Sequence, residues 1–355
     1  MSKYTVAVYP GDGIGIEVTR EAVKLLCAIE RLYGKEMFNL TEFDWGTVYW
    51  ERTGSVVPND YLNTLRQFDA VYLGALGNPA KIPDHISLKP LIEIRQSFDQ
   101  YVCLRPATLL PGLSTPLAGK KPLDIDMMVV RENSEGEYAG VGGVLKCDTP
   151  DEIATEVSIH TRKGIERILR YGFELAAKRK KRLAMATKSN VIKFGMVLWD
   201  RVLSSVAPDY PDVQAEKCHI DALAMNFVRF PERYDVVVAS NLFGDILSDI
   251  AGTVSGGLGL APSANINPER KHPSLFEPVH GSAPDIAGRG VANPVAAIRS
   301  AAMMLDFLGE PQAAELVNSA VAACLEDGLV KTPDLGGTST TQEMGDDIAR
   351  RLLAS

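Results

Sequence analysis

Residues 235–249 read DVVVASNLFGDILSD, and this stretch sets the organisation of the whole chain. Val236, Val237, Val238 and Ala239 form a short, β-branched apolar run, the pattern of a strand buried on both faces in a parallel sheet. Ser240 and Asn241 suit the cap of a following helix, whose Leu242, Phe243, Ile246, Leu247 and Ile250 are expected to face inward. Asp245 and Asp249 stand four apart, so their carboxylates share one helix face. Like charges at that spacing cost roughly a few tenths of a kcal/mol in an isolated helix. A solvated acidic face is the competing reading. Position favours a site, because the pair begins at the carboxyl end of a buried strand, where open α/β sheets place their ligands. A hard divalent cation such as Mg²⁺ or Mn²⁺ would turn the repulsion into attraction.

Outward from this stretch, short apolar runs alternate with helical periodicity. YTVAVYPGDGIGIEV is strand, glycine turn and helix. Its Gly11-x-Gly13 lacks the Gly or Ala that a dinucleotide fingerprint needs at the sixth position, where Ile16 stands, so it reads as a tight turn. A helix over 18–32, strands over 38–43 and 70–73, a helix over 91–98 and the strand YVCLRP follow. Between them GALGNPAKIPDHIS is too long for a mere connector. The centre holds the strand IDMMVVREN, the glycine-rich EGEYAGVGG and the alternating IATEVSIHT, then a helix over 163–177, LAMATK, a helix over 192–203 and VQAEKCHID. After Gly252 the chain is punctuated by glycine and proline and no strand is assigned. Two alanine-rich helical patterns follow at 294–308 and 313–326. The alternation predicts an α/β fold with a largely parallel central sheet.

The bulk properties narrow the function. The 355 residues are 46% hydrophobic and 23% charged, suiting a soluble globular chain of about two domains. A net charge of −8 and a pI near 5.3 argue against a nucleic-acid surface or a polybasic membrane patch. No apolar run approaches a membrane span. MSKYTVAVYP enters a strand pattern without a signal-peptide core, which predicts a cytoplasmic protein. The five cysteines are scattered, odd in number and without CxxC spacing, so they read as reduced, packed thiols.

Five polar residues stand where strands give way to loops or helices: Arg105, Arg131, Lys188, Asp221 and Asp245. Any one alone suits a rim salt bridge. Together they suggest one crevice, because parallel strands present their carboxyl ends together. Arg95, Arg105 and Arg131 offer planar forks for carboxylates, which implies a ligand with more than one. Asp221, Asp245 and Asp249 can hold one octahedral cation with positions left for substrate oxygens. Lys188 and Tyr138 are candidate proton carriers whose pKa values a metal and nearby arginines would lower. FEPVHGSAPDIAG, with His280, Gly281, Ser282 and Ala283, offers backbone amides and little bulk for a dinucleotide; a plain surface turn is its competing reading.

Taken together, GDGIG, RENSEGEY, TKSN, NLFGDILSD and EPVHGSAPDIAG resemble the metal-dependent β-decarboxylating dehydrogenases of 2-hydroxy acids, a family that includes isocitrate, 3-isopropylmalate and tartrate/D-malate dehydrogenases. IPDHISL, FDQYV, PSANINPERKHPSLFEP and MMLDFLG look closest to the tartrate/D-malate branch. The resemblance implies two α/β domains sharing one extended mixed parallel/antiparallel sheet of non-Rossmann type. One would comprise 1–100 plus 255–355 on the cofactor side. The other, 101–254, would carry the metal, the substrate and an intersubunit arm near 139–160. It further implies that Arg95, Arg105 and Arg131 bind substrate carboxylates, and that Tyr138 protonates the enol after CO₂ leaves. Asp245 and Asp249 would bind Mg²⁺ or Mn²⁺. Lys188 (the base), Asn190 and Asp221 would come from the second subunit of a homodimer. Glu277, His280, Gly281, Ser282, Ala283, Asp285 and Asn293 match the family's NAD loop, with room for a monovalent cation.

One departure stands out. Where the D-malate branch continues HISL with Trp-Gly, this chain has Lys89 and Pro90 and is one residue shorter. Leu91 and Ile92 would also suit an apolar group on the third carbon. The expectation is therefore NAD-dependent oxidative decarboxylation of a small 2-hydroxy dicarboxylate, D-malate or tartrate. The rivals are a 3-isopropylmalate dehydrogenase and, from another class, a metal-dependent binding or phosphoryl-transfer protein.

Overall fold

In a computed structural model, which describes residues 3–355, Val236–Ala239 is a strand with every side chain buried and a parallel neighbour on each side. In chain order the strands are β1 (Tyr4–Gly11), β2 (Phe38–Glu42), β3 (Ala70–Ala75), β4 (Val102–Thr108), β5 (Asp126–Glu132), β6 (Gly142–Leu145), β7 (Ile153–Glu156), β8 (Arg182–Thr187), β9 (Gln214–His219), β10 (Val236–Ala239), β11 (Pro262–Ile266) and β12 (Ser274–Pro278). Ten of them form one sheet in the order β2-β1-β3-β12-β11-β4-β5-β10-β8-β9. The first five in that order come from the two ends of the chain and the last five from its middle. The pairings β12–β11, β11–β4 and β4–β5 are antiparallel and the others parallel, so the sheet is mixed.

The apolar run of β10 serves two cores at once. Val236 and Val238 join the cluster containing Ile168 and Phe173, while Val237 and Ala239 join Leu223, Phe227 and Leu247 on the opposite face. Helix Arg162–Ala177 comes close on the first face because Gly172 has no side chain; a Cβ there would lie 2.4 Å from Val238 Cγ2. On the second face lies helix Asn241–Val254, which buries Gly244, Leu247, Ser248 and Ala251. Ile246, expected to face inward, is instead 53% exposed, and of the five apolar residues expected inward only Leu247 is fully buried. Small residues bring this helix onto the sheet and leave its bulkier ones at the margin.

Two strands are unexpected. β11 and β12 lie in the glycine- and proline-punctuated region, and all their residues are buried. Their prolines fall at strand ends, where no ladder hydrogen bond is lost. Their polar side chains bond inside the protein: Asn265 Nδ2 donates to Glu277 at 2.8 Å and Asn133 donates to Asn265 at 2.9 Å.

The Gly11–Gly13 turn is a junction. Both glycines take a left-handed φ, and a Cβ would lie 2.0 Å from Ala75 O at Gly11 and 2.1 Å from Ser282 O at Gly13. Between them the buried Asp12 accepts from Thr47 N at 2.7 Å and Gly77 N at 2.9 Å, and Ile14 N donates to Ser282 O at 2.9 Å. The turn thus fixes the loop after β12 beside the ends of β1 and β3. β6 and β7 form a separate hairpin whose residues are all exposed. Among the described residues no helix is long and apolar enough to cross a membrane. Asp12→Ala leaves two buried N–H groups without acceptors and is predicted to cost about 2–4 kcal/mol; the urea midpoint reads it, and an unchanged midpoint would deny the junction role.

Candidate active site

Where the two halves of the sheet meet, a cavity of about 460 Å³ opens, lined by Arg95, Arg105, Arg131, Tyr138, Asp245, Glu277 and the His280–Gly281 turn, with Leu88, Leu91, Ile92 and His85 on one wall. The arginines do not converge by the route the sequence suggested. β4 runs antiparallel to β5, so Arg105 is not at a carboxyl end shared with Arg131. Arg105 pairs with Val129 and Arg131 with Cys103, a diagonal offset that puts both guanidiniums on one face.

The centre of charge is Asp245. Its Oδ1 accepts from Arg105 at 3.0 Å and from Arg131, and its Oδ2 from the Tyr138 hydroxyl at 3.0 Å. Asp249, one turn on, lies 3.7 Å from Arg105. Arg95 donates to Glu277 at 2.8 Å. Burial raises the Asp245 carboxyl, but the Arg131 and Arg105 charges outweigh it and hold the pKa below the usual range. Asp249 moves the other way: burial and the neighbouring Asp245 raise it against the pull of Arg105. Burial lowers the Arg131 guanidinium to about 10. Tyr138, expected to be acidified, is raised, first by burial and then by the Asp245 charge, so the bare site keeps it as a protonated hydroxyl.

Three residues of this site escaped the sequence reading. Asn241, taken for a cap, is buried and accepts from Arg131 Nε at 3.0 Å and Nη2 at 2.7 Å, while its amide donates to Glu135 O at 2.9 Å. Ser240 occupies the cap position without bonding through its hydroxyl. Ser248 accepts from Arg105 at 2.8 Å, and Asn265 orients Glu277. Burial of polar types on a helix or strand was their only signal, and that is a tertiary fact.

Lys188 and Asp221 do not line this cavity. They follow the neighbouring strands β8 and β9 and pair with each other at 2.7 Å, and Asn190 is exposed beside them. A single chain therefore does not gather Asp221 with Asp245 and Asp249. Among the described residues the group of His, Cys, Asp and Glu able to share one ion is Cys147, Asp148 and Glu152, on the exposed hairpin. Asp245 and Asp249 nonetheless suit a hard cation, with two carboxylates on one helix face, Asp245 lining the cavity and Asp249 exposed one turn further on. On the opposite wall His280 packs its ring, Nδ1 2.9 Å from Gly281 O, while Nε2 is buried without a partner. Burial lowers its pKa. Ser282 is buried beside Gly13, Ala283 takes a left-handed φ of 39°, and Asp285 is exposed. Asn293 caps Val295 N at 3.0 Å and donates to Asp334 at 3.0 Å. An orphaned ring nitrogen over a loop with little bulk fits a dinucleotide.

Comparison with known proteins identifies the family of the chain. The family model described as isocitrate/isopropylmalate dehydrogenase matches residues 5–348. The D-malate dehydrogenase [decarboxylating] of Escherichia coli (strain K12) is 48% identical over 360 residues, 99% of each chain. The probable tartrate dehydrogenase/decarboxylase of Bacillus subtilis (strain 168) is 48% identical over 353 residues, 99% of each chain. A crystal structure of isocitrate dehydrogenase from Methylococcus capsulatus superposes with a TM-score of 0.88 at 37% identity, covering 98% of this chain and 99% of that one.

The two aspartates are predicted to differ in stability. Asp245 has a lowered pKa, so its contribution is present above the unfolded value and is lost as pH falls through the folded one; Asp249, raised, opposes folding once ionised. With chelator at neutral pH, Asp249→Asn should raise the thermal midpoint. Asp245→Asn should cost about 1–3 kcal/mol by leaving Arg131 underpaired. Equal shifts of the same sign in calorimetry would contradict the assignment.

Proposed function

This chain belongs to the isocitrate/isopropylmalate dehydrogenase family and is a decarboxylating dehydrogenase; on that premise we propose that it oxidises and decarboxylates a small 2-hydroxy dicarboxylate, D-malate or tartrate, using NAD and Mg²⁺ or Mn²⁺. The observation that carries the reading is the cavity in which Arg95, Arg105 and Arg131 face a carboxylate-bearing helix and a protonated Tyr138. Family membership removes the binding or phosphoryl-transfer alternative.

In this reading the three guanidiniums take the two substrate carboxylates. Asp245 and Asp249, with Asp221 of a second copy, would hold the divalent cation, which when bound polarises the C2 oxygen and stabilises an enolate as a Lewis acid. Glu277, Asn190, Asn293 and the 280–285 turn would hold NAD, which would supply the acceptor for the C2 hydride, with a monovalent cation as a candidate auxiliary. Lys188 of the second copy takes the C2 hydroxyl proton. The resulting 2-keto diacid, a β-keto acid with respect to its distal carboxylate, loses that carboxylate as CO₂, and Tyr138 delivers its hydroxyl proton to the enol carbon. Residues 1–100 plus 255–355 form the cofactor-side domain and 101–254 the other. The homodimer is supported by apolar side chains left on the surface: Met225 and Val228 on helix Ile220–Arg229, Ile246 on the helix packed beside it, and Val144, Leu145 and Ile153 on the hairpin. A cytoplasmic setting suits free thiols at Cys103 and Cys324.

A second substrate has its own support. Leu88, Leu91 and Ile92 give the cavity an apolar wall that would accept the side chain of 3-isopropylmalate. A panel of D-malate, tartrate and 3-isopropylmalate with NAD and Mn²⁺, followed by NADH absorbance, decides between them. D-malate or tartrate should be fastest, excess chelator should abolish turnover, and NAD should outpace NADP. A 2′-phosphate within ~4 Å of Asp285 would be repelled by a few kcal/mol at an effective dielectric near 20. Faster isopropylmalate oxidation, full turnover in chelator or equal kcat/KM for the two cofactors would overturn the corresponding part.

A further inference from the structure

The Tyr138 ring lies against the Arg131 guanidinium, 5.4 Å from the ring centroid, but its backbone rests on a short turn. It sits in the middle of a single 3₁₀ turn, Glu137–Ala139, between Gly136 and Gly140, both at left-handed φ (78° and 68°). Glycines on both sides leave the backbone of this short turn with little intrinsic rigidity. Past Gly140 the chain enters the wholly exposed hairpin. The turn is held on its amino side by the Gly136–Ile159 bridge and by Asn241 Nδ2 donating to Glu135 O. At the turn itself a side chain from the other half of the sheet intervenes: Gln96 Nε2 donates to Tyr138 O at 3.0 Å.

Gln96 belongs to helix Lys89–Ser97, which also carries Arg95. Arg95 is buried and points to Glu277 at the cavity, while Gln96, the next residue round the helix, is exposed and reaches the Tyr138 backbone. One rigid element therefore supplies a guanidinium to the cavity and an N–H to the backbone that carries the proton donor. The amide must present nitrogen, because the carbonyl of Tyr138 can only accept. The Tyr138 hydroxyl is now tied to Asp245, and to face a substrate it has to release that bond. The backbone tie to Gln96 then remains as the link between the Arg95 helix and the Tyr138 turn.

We propose that Gln96 is a positioning residue for the decarboxylation step, a cross-cleft latch that sets the distance between the Arg95 clamp and Tyr138. The proposal rests on the reading of Tyr138 as proton donor. What the latch requires is an N–H donor at the end of a long side chain, not the amide as such. Lysine and arginine satisfy that requirement; leucine and glutamate, similar in size, do not.

The test is a set of variants of the full-length enzyme, assayed with NAD, Mn²⁺ and the fastest diacid of the panel. Gln96→Leu and Gln96→Glu should lower kcat about 3- to 10-fold, the range one neutral hydrogen bond supplies, with a smaller change in KM. Gln96→Lys and Gln96→Arg should stay within about twofold of wild type on the same principle. Thermal midpoints should be unchanged throughout, since the side chain is exposed. Because Gln96 acts through Tyr138, adding Gln96→Leu to Tyr138→Phe should cost nothing further. Wild-type kcat in Gln96→Leu, failure of the lysine variant to rescue, or an additive loss in the double variant would each overturn the latch. Tyr138→Phe by itself should slow turnover roughly 10²–10⁴-fold. If it does not, the proton-donor reading falls; if it does while Gln96→Leu is silent, only the latch falls.

Discussion

The arrangement of this protein turns on one buried cation and its partners. Arg131 is almost wholly buried, and a guanidinium taken from water is tolerated only with its N–H groups bonded and its charge opposed. Asn241 takes two of those N–H groups and Asp245 opposes the charge. Both acceptors stand on one helix, so its start is fixed at the end of β10 and its approach to β5 is set. Gly244 makes the approach possible: a Cβ there would lie 2.7 Å from the Arg131 side chain. The same helix face that satisfies Arg131 also carries Asp249, an exposed carboxylate 3.7 Å from Arg105 whose pKa burial and the neighbouring Asp245 raise.

Much of this was legible in the sequence because it depends on local pattern and residue type. The run Val236–Ala239 is buried on both faces, and no other environment suits four consecutive apolar residues of that kind so well. Asp245, Arg105, Arg131, Arg95 and Tyr138 meet at one cavity, and the resemblance to the decarboxylating dehydrogenases holds along the whole chain. What was not legible depends on partners far away in the chain. β11 and β12 contain serine, asparagine and glutamate, which look like loop until Asn133, Asn265 and Glu277 are seen to satisfy one another. Arg105 reaches Arg131 by a route that the strand pattern does not reveal: its strand is antiparallel, and a diagonal offset rather than a shared carboxyl end brings the two together. Ile246 has the periodicity of a core residue and lies at the surface, because the helix meets the sheet through Gly244, Leu247, Ser248 and Ala251 instead.

The separation of Asp221 and Lys188 from the cavity is the feature with the widest consequence. Within one chain they pair with each other, while Asp245 lines a cavity that, in the proposed chemistry, still needs a base and a further carboxylate. The central claim is that two chains complete each site, and mixed dimers test it most directly. Co-express an Asp221→Asn chain with an Asp245→Asn chain, each nearly inactive alone, and verify that hybrids form. In a hybrid one site receives both intact aspartates and the other both defects. Random pairing makes about half the dimers hybrid, so roughly a quarter of wild-type activity should return. If verified hybrids show no recovery, the aspartates do not meet across an interface and the composite site is wrong.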